Sequence, residues 1–188
     1  MILSAGTNSL CFRSWGKEEE MIHFLSNCGD GSILLGKDAE QISDFYAIRV
    51  ASDWEEIKSF GVGIYSEGHG LEPHLLVQPE RDKLIIGFNS EVIGIDTAKK
   101  KTEFQIKLNS LFRSFTFLKK YGMILVFHEI GMIAVNENGQ EIWRFDGDII
   151  ENCVIDNNSL SLTFLDSDPV ELDIFNGTSK TPSAAISH

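Results

Sequence analysis

The stretch Lys83-Leu-Ile-Ile-Gly-Phe88 is the strongest indication of the fold, because closely similar stretches recur twice further along the chain. It matches Gly122-Met-Ile-Leu-Val-Phe127 and, with one residue inserted, Asn158-Ser-Leu-Ser-Leu-Thr-Phe164. The terminal phenylalanines of the three stretches stand 39 and 37 residues apart. Short apolar runs bounded by turn residues are typical of β-strands. The chain is therefore predicted to contain about three copies of one β-rich unit.

A second run follows each of these stretches at a similar distance. Val92-Ile-Gly-Ile-Asp96 matches Met132-Ile-Ala-Val-Asn136, and both match Val170-Glu-Leu-Asp-Ile174. Four short strands in a repeat of about 40 residues are typical of β-propeller blades. The whole pattern predicts a mainly β fold built from antiparallel meanders.

Eleven strands are predicted from residue 73 onward. They are His74–Gln78, Lys83–Phe88, Glu91–Ile95, Thr102–Leu108, Phe112–Leu118, Met123–Phe127, Met132–Val135, Glu141–Phe145, Ile149–Ile155, Leu160–Leu165 and Val170–Phe175. The last ten residues, 179–188, are mostly small and polar, and they are predicted to be a frayed tail.

The run Ile133-Ala-Val-Asn-Glu-Asn-Gly-Gln-Glu-Ile-Trp143 resembles the closing segment of PQQ-like and WD-repeat propeller blades. The resemblance covers residues 73–178, although the first repeat has Phe104 where tryptophan would stand and the third has no equivalent. It implies a propeller, but these 106 residues supply fewer than the four blades that a closed ring needs. We therefore expect an open or partial propeller, or a sandwich. Exposed sheet edges pair readily with other chains, so a protein partner or a homo-oligomer is expected to cover them.

Residues 1–70 are predicted to be a mixed N-terminal segment of the single domain 1–188, with one or two short helices. Ser14 is placed as the cap of a helix through Leu25, although Met21–Leu25 serves equally well as a strand. A second short helix is predicted over Asp53–Phe60. The glycines that follow predict a loose loop; they are Gly61, Gly63, Gly68 and Gly70.

Composition narrows the classes of partner. The net charge of −12 disfavours nucleic acid and anionic membranes, and it favours a basic protein. Cys11, Cys28 and Cys153 are odd in number and widely spaced, as expected for a reducing compartment. The sequence has neither a signal peptide at its start nor an apolar run long enough to span a membrane, so a cytoplasmic location is predicted.

One cluster of polar residues has the composition of a metal site. Glu67, His69, Glu72 and His74 fall within eight residues and could ligate a metal ion if their loop folded back on itself. The alternative interpretation is a solvated loop. No nucleophile elbow or dinucleotide fingerprint occurs, so neither a catalytic residue nor a cofactor is predicted. His128 is expected to be a half-buried histidine near a hairpin tip.

Acidic residues around the second and third repeats predict a partner surface. The candidates are Asp146, Asp148, Glu151, Asp166 and Asp168. We therefore predict a non-catalytic protein-binding module rather than an enzyme, in concrete form an acidic immunity- or antitoxin-like protein that masks a basic partner. The alternatives are a small-molecule- or metal-binding domain or hydrolase using loop 66–74, and a structural piece of a propeller-like assembly.

Overall fold

A computed structural model describes residues 2–5, 8–51 and 58–180. Within these ranges the chain forms sixteen β-strands and one α-helix, together with short 3₁₀ turns at Pro79–Arg81 and Lys119–Tyr121. Its contacts divide it into two compact units, Met1–Lys107 and Leu108–His188. The predicted mainly β fold is confirmed.

Unit 1 contains two sheets and the helix. Its elements are β1 (Ile2–Ala5), β2 (Asn8–Trp15), α1 (Glu18–Ser26), β3 (Ser32–Leu35), β4 (Asp44–Ala51), β5 (Ser59–Ser66), β6 (His74–Gln78), β7 (Lys83–Phe88), β8 (Glu91–Asp96) and β9 (Lys101–Lys107). The first sheet, sheet A, has the order β1-β2-β4-β5-β3, and only its β3–β5 pair is parallel. The second, sheet B, is an antiparallel meander of β6, β7, β8 and β9.

The core of unit 1 lies between its two sheets. Ile48, Val62 and Ile64 of sheet A pack in one cluster with Leu84 and Ile86 of sheet B, and none of these side chains is exposed to solvent. Helix α1 covers the other face of sheet A through its buried Met21 and Leu25. Close-packed apolar surface of this kind is the main source of folding free energy.

The predicted loose glycine stretch begins instead as a fully buried strand. Gly61 and Gly63 belong to β5, and every residue of β5 is buried. A Cβ atom on Gly61 would lie 2.7 Å from Leu25 Cδ2, and one on Gly63 would lie 2.8 Å from Leu25 Cδ1. The glycines are therefore required because α1 lies directly against the strand, not because the backbone is loose.

Two other predictions for the N-terminal segment need correction. Ser14 lies in β2, and α1 begins only at Glu18, after Lys17, so Ser14 does not cap the helix. Met21–Leu25 is helical, which resolves the alternative between helix and strand. The predicted helix Asp53–Phe60 falls mostly outside the described residues, and its last two residues begin β5.

Unit 2 repeats the meander twice. Its strands are β10 (Phe112–Leu118), β11 (Met123–His128), β12 (Gly131–Asn136), β13 (Glu141–Asp146), β14 (Ile150–Asp156), β15 (Ser159–Phe164) and β16 (Val170–Asp173). The first four form sheet C in sequential order, and the last three form sheet D. A common apolar cluster holds Leu125, Ala134 and Trp143 of sheet C against Leu160 and Leu172 of sheet D.

Strand pairing shows that β7 and β11 align one residue away from the match predicted from sequence. Phe88 closes the β7–β8 hairpin opposite Glu91, and His128 closes the β11–β12 hairpin opposite Gly131. His128, not Phe127, is therefore the structural counterpart of Phe88. Because neighbouring residues of a strand point to opposite faces, Phe127 lies on the other face of its sheet and packs with sheet D.

The predicted aromatic equivalence between Phe104 and Trp143 has a geometric basis. Phe104 lies opposite Gly94 and Trp143 opposite Ala134, and a β-bulge follows at the same place in both strand pairs. A Cβ atom on Gly94 would lie 2.1 Å from the Phe104 ring. A large ring over a small residue is thus a shared feature of sheets B and C.

Within the described residues, sheet D has three strands, whereas sheets B and C have four each. Beyond β16 the chain turns back, so that Ser179 bridges Leu172 and the Lys180 amide donates to the Glu171 carbonyl at 2.7 Å. These first two residues of the predicted frayed tail are therefore paired. The face of sheet D directed away from sheet C is exposed and mostly polar, with Ser161, Thr163 and Glu171 along it and one exposed apolar side chain, Val154, opposite Ser161. This face is not suited to packing against another apolar sheet.

Candidate functional site

Three loops of unit 2 come together through backbone hydrogen bonds. They are the turn 129–130 between β11 and β12, the segment 146–149 from the last residue of β13 to the start of β14, and the segment 165–169 between β15 and β16. The Gly147 amide donates to the Ile130 carbonyl at 3.0 Å, and the Leu165 amide donates to the Ile149 carbonyl at 3.0 Å. We call these three segments the acidic loop end.

Asp148 joins two of the three loops. One carboxylate oxygen accepts the Ile149 amide at 2.7 Å, and the other accepts the Asp166 amide at 3.2 Å and the Ser167 hydroxyl at 2.9 Å. These hydrogen bonds, led by that from the Ile149 amide, hold the pKa of Asp148 below its ordinary value. The carboxylate is therefore ionised at neutral pH, and it also orders the loops.

The acidic loop end combines concentrated negative charge with exposed apolar side chains. Its carboxylates are Glu129, Asp146, Asp148, Asp166 and Asp168, and the three segments contain no lysine or arginine. Ile130 and Leu165 are 39% and 53% exposed within the same segments. Apolar anchors surrounded by a charged rim are the usual composition of a protein-binding surface.

The structure brings most of the predicted partner-binding residues together. Asp146 accepts a hydrogen bond from the Asn109 side chain at 3.2 Å and lies next to Gly147, while Asp148 and Asp166 are joined directly. Asp168 lies in the same loop as Asp166. Glu151 lies outside the three segments but only two residues beyond Ile149, exposed at the bulge of β14.

His128 lies behind the turn 129–130, and sequence reasoning misjudged its environment. Its side chain is fully buried rather than half-buried. The imidazole Nδ1 lies 2.9 Å from the Ser110 hydroxyl, and that hydroxyl also accepts the Ile130 amide at 3.2 Å. Burial lowers the pKa of His128 below 6.5, so the imidazole is neutral at physiological pH. Only the hairpin register, which places His128 where Phe88 stands in unit 1, reveals this position.

The Ser110–His128 pair has the composition of a nucleophile and its base, but not the accessibility. The imidazole has no exposed surface, and the serine oxygen is engaged by the Ile130 amide. A catalytic pair needs room for a reacting atom near the nucleophile. This arrangement is therefore suited to holding a turn.

The residues predicted as metal ligands are only partly brought together. Glu67 Oε2 lies 3.0 Å from His69 Nε2, while Glu72 is exposed in the loop and His74 is the exposed first residue of β6. Over residues 2–5, 8–51 and 58–180, no three His, Cys, Asp or Glu side chains form a group able to hold a metal ion. Glu67 also lines a cleft of about 580 Å³ in unit 1, together with Glu91 and Ile93.

No helix in the described part of the chain is both long and apolar enough to cross a membrane. No protein-family model matches the chain, and no curated protein is significantly similar to it in sequence.

Solved structures resemble the chain in fold at low sequence identity. The computationally designed protein Ika8 matches with a TM-score of 0.51 and 12% identity, over 95% of this chain and 59% of its own. Sqt1 from Saccharomyces cerevisiae matches with a TM-score of 0.48 and 13% identity, over 77% of this chain and 46% of its own. A europium-containing methanol dehydrogenase matches with a TM-score of 0.47 and 16% identity, over 61% of this chain and 25% of its own. The predicted resemblance to PQQ-like and WD-repeat blades is confirmed in a weak form, as a likeness of fold alone.

Proposed function

We propose that the chain is a non-catalytic protein-binding module that engages a basic partner through the acidic loop end. The single observation that carries the proposal is the joining of five carboxylates and two exposed apolar side chains in three hydrogen-bonded loops. Exposed isoleucine and leucine would supply the anchors. The surrounding charge would steer a cationic surface toward them and set its orientation.

The most specific form of this proposal is an immunity- or antitoxin-like protein that masks a basic partner. The net charge of −12 supports it, because such a field accelerates encounter with a cationic protein. A cytoplasmic location belongs to the same proposal. Self-association is the competing way to cover the exposed surfaces, and light scattering at micromolar concentration tests it. A monomer excludes self-association and leaves a different protein as the partner.

A matched pair of variants tests the site. Leu165→Ser with Asp166→Asn removes one exposed apolar residue and one charge from the acidic loop end. Val154→Ser with Asp156→Asn makes the same chemical change on β14, where Val154 is 52% exposed and Asp156 is also exposed. Both changes leave the buried core untouched. Any difference between them therefore reports on location.

Each immobilised protein is incubated with extract from its natural host, and the captured basic protein is purified and titrated calorimetrically. We expect wild type and the β14 variant to bind it equally, and the loop-end variant to bind at least about tenfold more weakly. The affinity should fall as salt is raised. Recovery of no basic protein, or equal binding by both variants, would refute the proposed site.

A further inference from the structure

The turn 129–130 is held on its inner side by a polar pair, the buried His128 and the half-buried Ser110. Ser110 Oγ accepts the Ile130 amide at 3.2 Å and lies 2.9 Å from His128 Nδ1. On the exposed side the Ile130 carbonyl accepts the Gly147 amide at 3.0 Å. Both backbone polar groups of Ile130 are therefore engaged, and the side chain is presented outward. The Glu129 amide also donates to the Leu111 carbonyl at 2.9 Å, so the Ser110–His128 pair supplies one of two inner attachments of the turn, the one that holds Ile130.

The other nitrogen of His128 has no partner. In the described part of the chain, Nε2 is buried and accepts or donates no hydrogen bond. A buried N–H without an acceptor costs more than a buried lone pair without a donor. We therefore assign the tautomer in which Nδ1–H donates to Ser110 and Nε2 carries the lone pair.

The charged groups around His128 do not offset the cost of burying a positive charge when Nε2 takes up a proton. Burial is the largest influence on the pKa of His128 and opposes protonation; on β13 the Asp146 carboxylate favours protonation, and the Arg144 guanidinium opposes it as burial does. On β10 the residue paired with His128 is Phe112, which carries no charge. On the remaining neighbour, β12, the paired residue is Gly131, whose added Cβ would lie 3.0 Å from the imidazole Cε1. A protonated Nε2 therefore has no acceptor among the described residues of unit 2.

We propose that neutral His128 is a positioning residue for the acidic loop end, and that its protonation releases the turn carrying Ile130. The inference rests on the proposed function, because Ile130 is one of the two apolar anchors of that site. A protonated Nε2–H group can reach water only if the imidazole ring of His128 moves out of its buried position. The hydrogen bond between Nδ1 and the Ser110 hydroxyl is then lost. The turn would lose the inner hydrogen bond at Ile130 while keeping that of the Glu129 amide, and in mildly acidic conditions the Ile130 side chain would no longer be held in place.

Amide hydrogen exchange of the free protein tests this without any partner. The protection factor of the Ile130 amide is compared at about pH 7.5 and about pH 5.5, on either side of the ordinary histidine pKa. We expect at least about a fivefold loss of protection at the lower pH, as for a hydrogen bond of ordinary strength. The Gly139 amide, bonded to the Asn136 carbonyl at 3.0 Å in another turn of sheet C, should keep its protection.

Two variants separate positioning from general stability. His128→Phe installs the residue found at the equivalent position of unit 1, and Ile130 protection should then be independent of pH. Ser110→Ala removes the acceptor, and protection should be low at both pH values. Unchanged Ile130 protection in wild type, or an equal loss at Gly139, would overturn the proposal. These hydrogen-exchange results do not depend on where a partner binds. Failure of the proposed function would appear only in the binding experiment, so the two failures can be told apart.

Discussion

The indole nitrogen of Trp143 donates a hydrogen bond of 2.9 Å to the backbone carbonyl of Ile174. Trp143 lies in the outermost strand of sheet C, and Ile174 immediately follows the last strand of sheet D. The ring also touches the turn beyond it, where a Cβ atom on Gly177 would lie 2.7 Å from the indole. One side chain thus joins the two sheets of unit 2.

Replacing Trp143 by phenylalanine should destabilise unit 2. The ring is kept but the donor is lost, which leaves a buried carbonyl unpaired. We expect the free energy of unfolding to fall by about 1–3 kcal/mol, measured by urea denaturation. Trp15→Phe is the control, since the indole nitrogen of Trp15 donates no hydrogen bond within the described residues. Equal losses in both variants would show that ring size, not the hydrogen bond, matters.

Replacing Gly94 by alanine should destabilise unit 1. The new methyl group would overlap the Phe104 ring, and overpacking of this kind costs about 1–3 kcal/mol. Gly16→Ala is the matched control, because nothing lies within 4 Å of its added Cβ atom. A second change, Phe104→Ala, should restore part of the loss in a double-variant cycle. If Gly94→Ala unfolds at the wild-type urea midpoint, the ring is not held over the glycine.

The stability of the protein should decrease on mild acidification because of His128. The folded-state pKa of His128 lies below the unfolded value near 6.5, so the unfolded chain takes up the proton first. Its contribution to stability is complete above about pH 6.5 and is lost as the pH falls from there to the folded-state pKa. His128→Phe should flatten this part of the curve of urea midpoint against pH. A parallel curve for the variant would contradict the assignment.

Removing the Asp148 carboxylate should loosen the loops locally. Asp148→Ala eliminates the acceptor of the Ile149 and Asp166 amides, and both should exchange faster with deuterium. Asp168→Ala removes the same charge, and no hydrogen bond joins that carboxylate to another described residue, so it is the control. Equal exchange in the two variants would mean that Asp148 contributes charge but no order.

Cys153 should react slowly with thiol reagents although it lies on an edge strand. Burial raises the pKa of its thiol to about 11, so little thiolate is present at pH 8. A variant with Cys11→Ser and Cys28→Ser isolates this residue for reaction with a disulfide reagent. Cys153 of the folded variant should react much more slowly than Cys153 of the same variant unfolded in urea. Equal rates would show that the thiol is not desolvated.

Much of the candidate site was predictable because charge is a property of composition. Asp146, Asp148 and Asp166 stand out in the sequence as acidic residues between strands, and the loops do bring them together. The apolar anchors Ile130 and Leu165 were not predictable, because exposure of an apolar residue depends on the course of the neighbouring loops.

The repeated strands are determined by the sequence alone, since short apolar runs separated by turn residues favour β-hairpins in any context. Which residue occupies each repeated position depends on strand pairing in the folded chain. A shift of one residue reverses the face of every side chain in a strand, and pairing puts His128, not Phe127, at the position equivalent to that of Phe88. Likewise, the sequence pattern of Gly61 and Gly63 predicts a loop. In the folded protein both glycines belong to a buried strand, because α1 packs directly against them. Local pattern is encoded by neighbours in sequence, whereas register and close packing are set by residues distant along the chain.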